Sequence, residues 1–329
     1  MGPGSQPGGL RTATAWPSLP VSEWHATRDT LQLWTQIVGK IRLAHSPLLN
    51  HWWNVPLYVT ARGLTTSLMW SADGRGFQID FDFVDHQLEI TVSDGNRRSV
   101  ALAPRSVADF YHEVVSRLAE LDLDTAIWTM PVEIEGAVPF DSDDEHRSYD
   151  SHQVESFWRL LINSAHVLNE FRTTFVGKSS PVHLFWGGLD LATTRFSGRS
   201  APRHVAGAPH CGPHVMEEAY SQEVSSFGYW PGGAEEGFFY SYAYPEPEGY
   251  RDYPVSPPEA YYDGDVGEFL LPYHTVRTAD DPRAVLLSFL TSAYQAAAER
   301  GGWDRVALER KTPSWAPDNV ARTGSLSAP

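Results

Sequence analysis

The chain has 329 residues, 42% hydrophobic and 20% charged, enough for one large or two medium globular domains with an ample core. Its formal charge is −16, from 41 acids and 25 bases, and the densest basic cluster is only Arg195, Arg199 and Arg203. No basic path for a phosphate backbone or an anionic membrane surface is present, so neither nucleic acid nor membrane is expected as a partner.

Residues 1–19 are rich in Gly, Pro and Ser and read as a disordered tail without a secretory apolar region. From Thr30 the pattern Leu31, Trp34, Ile37, Val38, Ile41 predicts a helix that Pro47 ends. Residues 55–62 alternate as a strand. Phe77, Ile79, Phe81 and Phe83 alternate with Gln78, Asp80 and Asp82, and Leu88, Ile90 and Val92 repeat that period of two. Asp94-Gly95-Asn96 is a hairpin signal, with the return over 98–102. Ser106 with Asp109 opens a helix carrying Val107, Phe110, Val114 and Leu118.

Residues 125–150 read as a connector whose acidic run, Asp141 to Glu145, is expected to be a solvated loop. A second helix–strand–helix series follows. Its helix carries Val154, Phe157, Leu161 and Leu168, and a strand is expected over 182–194, then an irregular segment over 196–216. Further strands are expected near 220–227, 237–244 and 267–272. Asp281-Pro282 caps a helix that Gly301-Gly302 stops. Residues 311–329 read as a second tail.

Two strings echo each other. His51-Trp52-Trp53 leads through Thr60 to Arg62, and His183 leads through Trp186 and Thr194 to Arg195, with spacings from His to Arg of eleven and twelve. The order of elements agrees, so the chain reads as an internally duplicated helix–four-strand–helix unit, halves 20–124 and 151–310. One-faced helices and alternating strands predict an α+β fold, antiparallel sheet with helices packed on one face.

The strings from Leu33 to Thr66, Gly177 to Arg199, Glu218 to Ser226 and Phe239 to Pro247 resemble an uncharacterised bacterial family, domain of unknown function 5996, over roughly residues 16–309. The resemblance implies no activity. The chain departs from that family's pattern at Asn54 and Gln222, where His is common, which weakens a metal-ligand role at those positions.

The candidate site follows from the echo: a cleft between the two halves, the kind of place where small-molecule sites are found. His51 and His183, with Glu223 among the hydroxyls of Ser221 and Ser225, are the candidates to move protons. Arg62 and Arg195, with Arg199, are candidates to hold an anion. Asp80 and Asp82 face Arg62 across a strand pair, and Asp190 opens the polar stretch that runs to Arg195. Trp53, Tyr58, Trp186, Tyr240 and Tyr242 are candidate walls. Gly187-Gly188 marks a bulge or a close backbone approach. His204, His210, His214, Glu217 and Glu218, with Cys211 near, form an alternative divalent-metal set, and no other cofactor is predicted. No Gly-x-Ser-x-Gly elbow, dinucleotide fingerprint or Cys-x-x-Cys pair is present. The reading is an enzyme doing acid–base chemistry on a small anionic or aromatic molecule, with a non-catalytic binder as the alternative. The lone Cys211 fits a reducing cytoplasm.

Overall fold

A computed structural model describes residues 16–123, 125–205, 207–233 and 235–311. The tails expected over 1–15 and 312–329 lie outside the described residues. Residues 16–19, expected to belong to the first tail, instead pack on the core: Leu19 is buried and Trp16 meets the rings of Phe239 and Tyr273.

The first half begins with α1 (Val21–His45), much longer than the predicted helix. It ends where Pro47 forces Ser46 into extended backbone. From Thr30 to Arg42 nearly every residue is buried, so α1 has no solvent face for most of its length. Six strands follow: β1 (Tyr58–Val59), β2 (Gly63–Thr65), β3 (Met69–Trp70), β4 (Gly76–Asp82), β5 (Gln87–Val92) and β6 (Arg97–Ala101). They form an antiparallel sheet in the order β1-β2-β4-β5-β6, with β3 pairing beside β4. Phe77, Ile79, Phe81, Leu88 and Ile90 are buried toward the helices, and the intervening polar positions face outward. α2 (Val107–Ala119) starts as predicted, the Ser106 hydroxyl accepting from the Asp109 backbone N–H.

The second half holds α3 (Ser151–Arg172), β7 (His183–Phe185), β8 (Asp190–Ser200), α4 (Pro213–Ala219), β9 (Gln222–Trp230), β10 (Phe238–Tyr244), β11 (Tyr261–Asp263), β12 (Glu268–Pro272), α5 (Tyr273–Thr278), α6 (Pro282–Arg300) and α7 (Arg305–Leu308). Its antiparallel sheet runs β11-β12-β10-β9-β8-β7. α3 and α6 pack on one face through Leu191, Phe227, Phe239 and the rings of Phe171 and Tyr294. The fold is therefore α+β with antiparallel sheets and a helix layer on each.

Other elements differ from the sequence expectation too: each half holds six strands rather than four, and the irregular segment expected over 196–216 contains the end of β8 and the start of α4. The strand expected over 55–62 is only β1, because Ala61 and Arg62 form the turn into β2. The strand expected over 182–194 is the hairpin β7–β8, turned at 186–189. The connector is less solvated than its acidic run suggests: Phe140 and Asp143 are buried, and the Asp143 carboxylate caps the Glu145 and His146 N–H groups.

The hairpins β1–β2 and β7–β8 meet edge to edge. Leu57 and Leu184 exchange backbone hydrogen bonds of 2.9 and 2.7 Å, which joins the two sheets. This pairing sets Leu57 opposite Leu184. His51, six residues before Leu57, lies in a 3-10 turn at residues 50–52, whereas His183 is in β7. The echoed histidines are therefore not structural counterparts.

Candidate functional site

The unhelical face of the second sheet is the floor of a cavity of about 920 Å³. Alternation delivers one residue in two to it: Asp190, Ala192, Thr194 and Phe196 from β8, Val224, Ser226 and Trp230 from β9, Phe238, Tyr240 and Tyr242 from β10, Glu268 and Leu270 from β12. The roof comes from elsewhere. Residues 126–128 and 132–133 of the connector, the segment His210 to Met216 running into α4, the turn His51–Trp53, and Lys40 and Leu43 of α1 close over the sheet.

Asp190 sits at the start of β8, where burial lifts its carboxyl to about 6 against the opposing effect of a 2.5 Å hydrogen bond donated by the Tyr240 hydroxyl. That bond needs Tyr240 to lie across β9. A Cβ added at Gly228 would stand 2.5 Å from the Tyr240 hydroxyl and 2.5 Å from the Leu191 carbonyl oxygen. Gly228 is thus the gap through which Tyr240 reaches Asp190.

Two further carboxylates join Asp190. Glu133 hangs from the roof beside the β7–β8 turn, where a Cβ on Gly187 would lie 2.2 Å from its Oε1. Gly187 therefore marks a close approach, and Gly188 the turn beside it. Burial, then the charge of Asp190, raises Glu133 to about 7. Glu133 is exposed overall, and it is the protein crowding its carboxylate beside Gly187 that raises it. Glu268 projects from β12 and is also raised to about 7, by burial and then by Asp190 and Asp263. Beside them Thr194 and Ser226 share a 2.9 Å hydroxyl contact, and the Tyr220 and Tyr242 hydroxyls one of 3.0 Å.

The cations near the cavity have fixed partners. Lys40 donates to the carbonyl oxygens of Trp128, at 3.0 Å, and Met130, and lies over the Trp128 ring; burial lowers it to about 8. Lys178 donates to His51 Nε2 at 2.6 Å and Gln222 Oε1 at 3.0 Å, over the Phe196 ring. The other His51 nitrogen, Nδ1, lies 3.1 Å from the Ala219 carbonyl, which only accepts, so Nδ1 carries the proton and Nε2 the lone pair. Burial and then Lys178 lower the His51 pKa, and Glu218 accepts from its backbone N–H.

Of the residues nominated from sequence, His51, Trp53, His183, Trp186, Asp190, Tyr240 and Tyr242 line this cavity, as do His210 and His214 of the alternative metal set. His183 is wholly buried, burial lowers it to about 3, and neither ring nitrogen has a partner among the described residues. The others lie elsewhere. Glu223 is on the opposite face of β9, bonded to Ser197 and Arg199, so the trio His51, His183 and Glu223 does not converge on one chamber. Arg199 also donates to the Gly301 and Gly302 carbonyls. Arg195 points to the helix layer, its guanidinium 3.5 Å from the Phe171 ring centroid and donating to the Phe171 carbonyl and Thr174. Arg62 is exposed at the β1–β2 turn, paired with Asp82 at 2.5 Å and Asp85 at 2.6 Å, and Asp80 lies on that outer sheet face. Tyr58 packs under Arg42. Among the described residues no arginine lines the cavity.

The alternative metal set is also dispersed. Glu217 pairs with Arg203, Glu218 serves His51, His204 stacks on Tyr220 at 4.4 Å, and His210 and His214 sit against Trp128 and Trp52. Among the described residues no group of three or more His, Cys, Asp or Glu is arranged to hold a metal ion. Sequence reasoning missed Glu133, Glu268, Lys40 and Trp128. Glu268 opens a predicted strand and could have been read from its alternation; nothing local marks Glu133.

Among the described residues no helix is long and apolar enough to cross a membrane. Residues 16–310 match the model of a family described as a family of unknown function, DUF5996. No curated protein and no solved structure matches the chain.

Proposed function

The chain belongs to DUF5996, a family of unknown function, and from its cavity alone we propose that it acts on a small molecule by proton transfer. Glu133, Asp190 and Glu268 hold and move the protons. Trp128, Trp186, Trp230 and Tyr240 seat an apolar or aromatic body. The observation that carries this reading is three carboxyls, raised to between about 6 and 7, on the wall of one aromatic cavity. A group with its pKa near the working pH is present in both forms and exchanges protons at low cost, which is what general acid–base chemistry requires. Proton transfer moves from the histidines nominated by sequence to these acids. His51, neutral and held at both nitrogens, positions Lys178 and the roof. The single cysteine, Cys211, agrees with a cytoplasmic setting.

Carboxyl-carbon NMR across a pH series tests the premise: three resonances titrating above pH 5.5 are expected, and ordinary titration near pH 4 for all of them refutes it. Native mass spectrometry of freshly purified protein then asks whether a bound molecule is converted. Glu133→Gln is expected to slow conversion by about a hundredfold or more even when the variant is saturated with the molecule. A molecule retained unchanged by the wild-type chain points to the binder instead.

A further inference from the structure

The same cavity carries a conclusion about the charge of what enters it. The Glu133 and Glu268 carboxylates have no hydrogen-bond or ion-pair partner among the described residues; their shifts come only from burial and from other acids. Asp190 has one donor, Tyr240. Lys40 and Lys178 are held by the acceptors described above, and Arg62, Arg195 and Arg199 point away from the cavity. A second, independent feature points to a missing occupant. His183 pairs in register with Ala192, so it belongs to the cavity side of the sheet, and its wholly buried ring leaves both nitrogens unpartnered. Buried polar groups without partners are costly, and the Asp190 charge repels both Glu133 and Glu268.

We propose that the cavity takes an organic cation: a protonated amine on an aromatic or bulky apolar body, its ammonium N–H groups donating to Glu133 and Glu268. Opposite charge relieves the repulsion among the acids, and each N–H meets an oxygen that has no donor. The indoles of Trp128, Trp186 and Trp230 line the cavity and offer an apolar bed, and Trp128 already carries the Lys40 ammonium. An anion of the same shape meets three carboxylates and finds Lys40 already committed to two carbonyl oxygens. The inference rests on the reading of the cavity as a small-molecule site.

The test uses the full chain and three probes of one shape, tryptamine, tryptophol and indole-3-propionate, titrated calorimetrically at pH 7. Tryptamine is expected to bind at least tenfold more tightly than tryptophol, with the propionate weakest. Its binding is expected to release protons, read from the difference between two buffers of unlike ionisation heat. Glu133→Gln and Glu268→Gln are expected to erase the tenfold preference, with far-UV circular dichroism reporting that the variants are folded. Tryptophol binding without preference for tryptamine, or a preference for the propionate, overturns the cation assignment and leaves the small-molecule reading standing. Failure of all three probes at millimolar concentration overturns both.

Discussion

Removing a carboxylate from the cavity should stabilise the empty protein, and only at high enough pH. Glu268 is the clearest case, because it is largely enclosed and has no donor of its own. An acid whose folded pKa lies above its unfolded value binds more protons in the folded state, so it weakens the fold as pH rises. For Glu268, moved from 4.5 to about 7, the penalty is absent below pH 4.5, grows between pH 4.5 and 7, and is complete above pH 7. At about 1.4 kcal/mol per pH unit the upper bound is about 3 kcal/mol. Water in the cavity screens part of it, so about 1–3 kcal/mol is the working range. Glu268→Gln mimics the protonated form in shape. Urea unfolding of both proteins from pH 4.5 to 8 should show curves that coincide at the acid end and diverge as pH rises, the variant being the more stable at pH 8. The coupling runs the other way: in Asp190→Asn the Glu268 carboxyl, relieved of that charge, should titrate lower. A stability difference that is constant with pH, or a variant less stable at pH 8, would refute the argument that the acids are unpaired and poorly solvated.

Gly228→Ala places a methyl against the Leu191 carbonyl and the Tyr240 hydroxyl, so it should cost about 1–3 kcal/mol in urea unfolding and move the Asp190 titration upward as its donor is pushed off. The two arginines of the sequence echo should separate cleanly. Arg195→Ala empties a slot among Phe171, Phe175 and Tyr294 and strips the Phe171 carbonyl of its donor, for about 2–5 kcal/mol of stability, while any cavity ligand binds as before. Arg62→Ala, at a solvated turn, should change neither the unfolding midpoint nor ligand affinity; loss of binding would return it to the site.

Local chemistry made much of the fold legible. The caps at Ser106 and Asp281, the Asp94-Gly95 turn and the alternation of Phe77, Ile79 and Phe81 are read within a few residues and are found where they were read. The Tyr240–Tyr242 stripe was legible for the same reason. Harder to read was which face of a strand is dry core and which is chamber, since both demand an alternating pattern. Parity held more than was taken from it. Asp190 and Arg195 stand five apart on one strand, so they face opposite ways, and grouping them as one polar stretch joined the cavity floor to the helix layer. The echo misled for a related reason. Matching letters aligned His51 with His183, but backbone pairing aligns Leu57 with Leu184. Glu133 had no local signal at all, because a loop residue with positive φ reaches its neighbours only through tertiary structure.

The hollow itself follows from unequal side chains on one sheet face. β10 contributes Tyr240 and Tyr242, whereas the adjoining positions of β8 and β9 are Ala192, Gly228, Thr194 and Ser226. A face that bulky on one side and that small on the other cannot be closed by a regular helix, and an irregular segment spans it instead. That roof must be tied down, and α1 does so with polar groups that a buried helix would otherwise lack. Gln36, wholly buried, exchanges hydrogen bonds with the Val132 backbone at 2.9 and 3.0 Å, and Lys40 holds the Trp128 and Met130 carbonyls. Gln32 donates to the Gly187 carbonyl in the β7–β8 turn against which Glu133 lies. These three residues are spaced by four along α1 and form one polar row on it. A helix of the first half thus fixes the connector over the sheet of the second. The chamber is assembled from all three segments, and one of its two most perturbed acids hangs from the segment that looked least structured in the sequence.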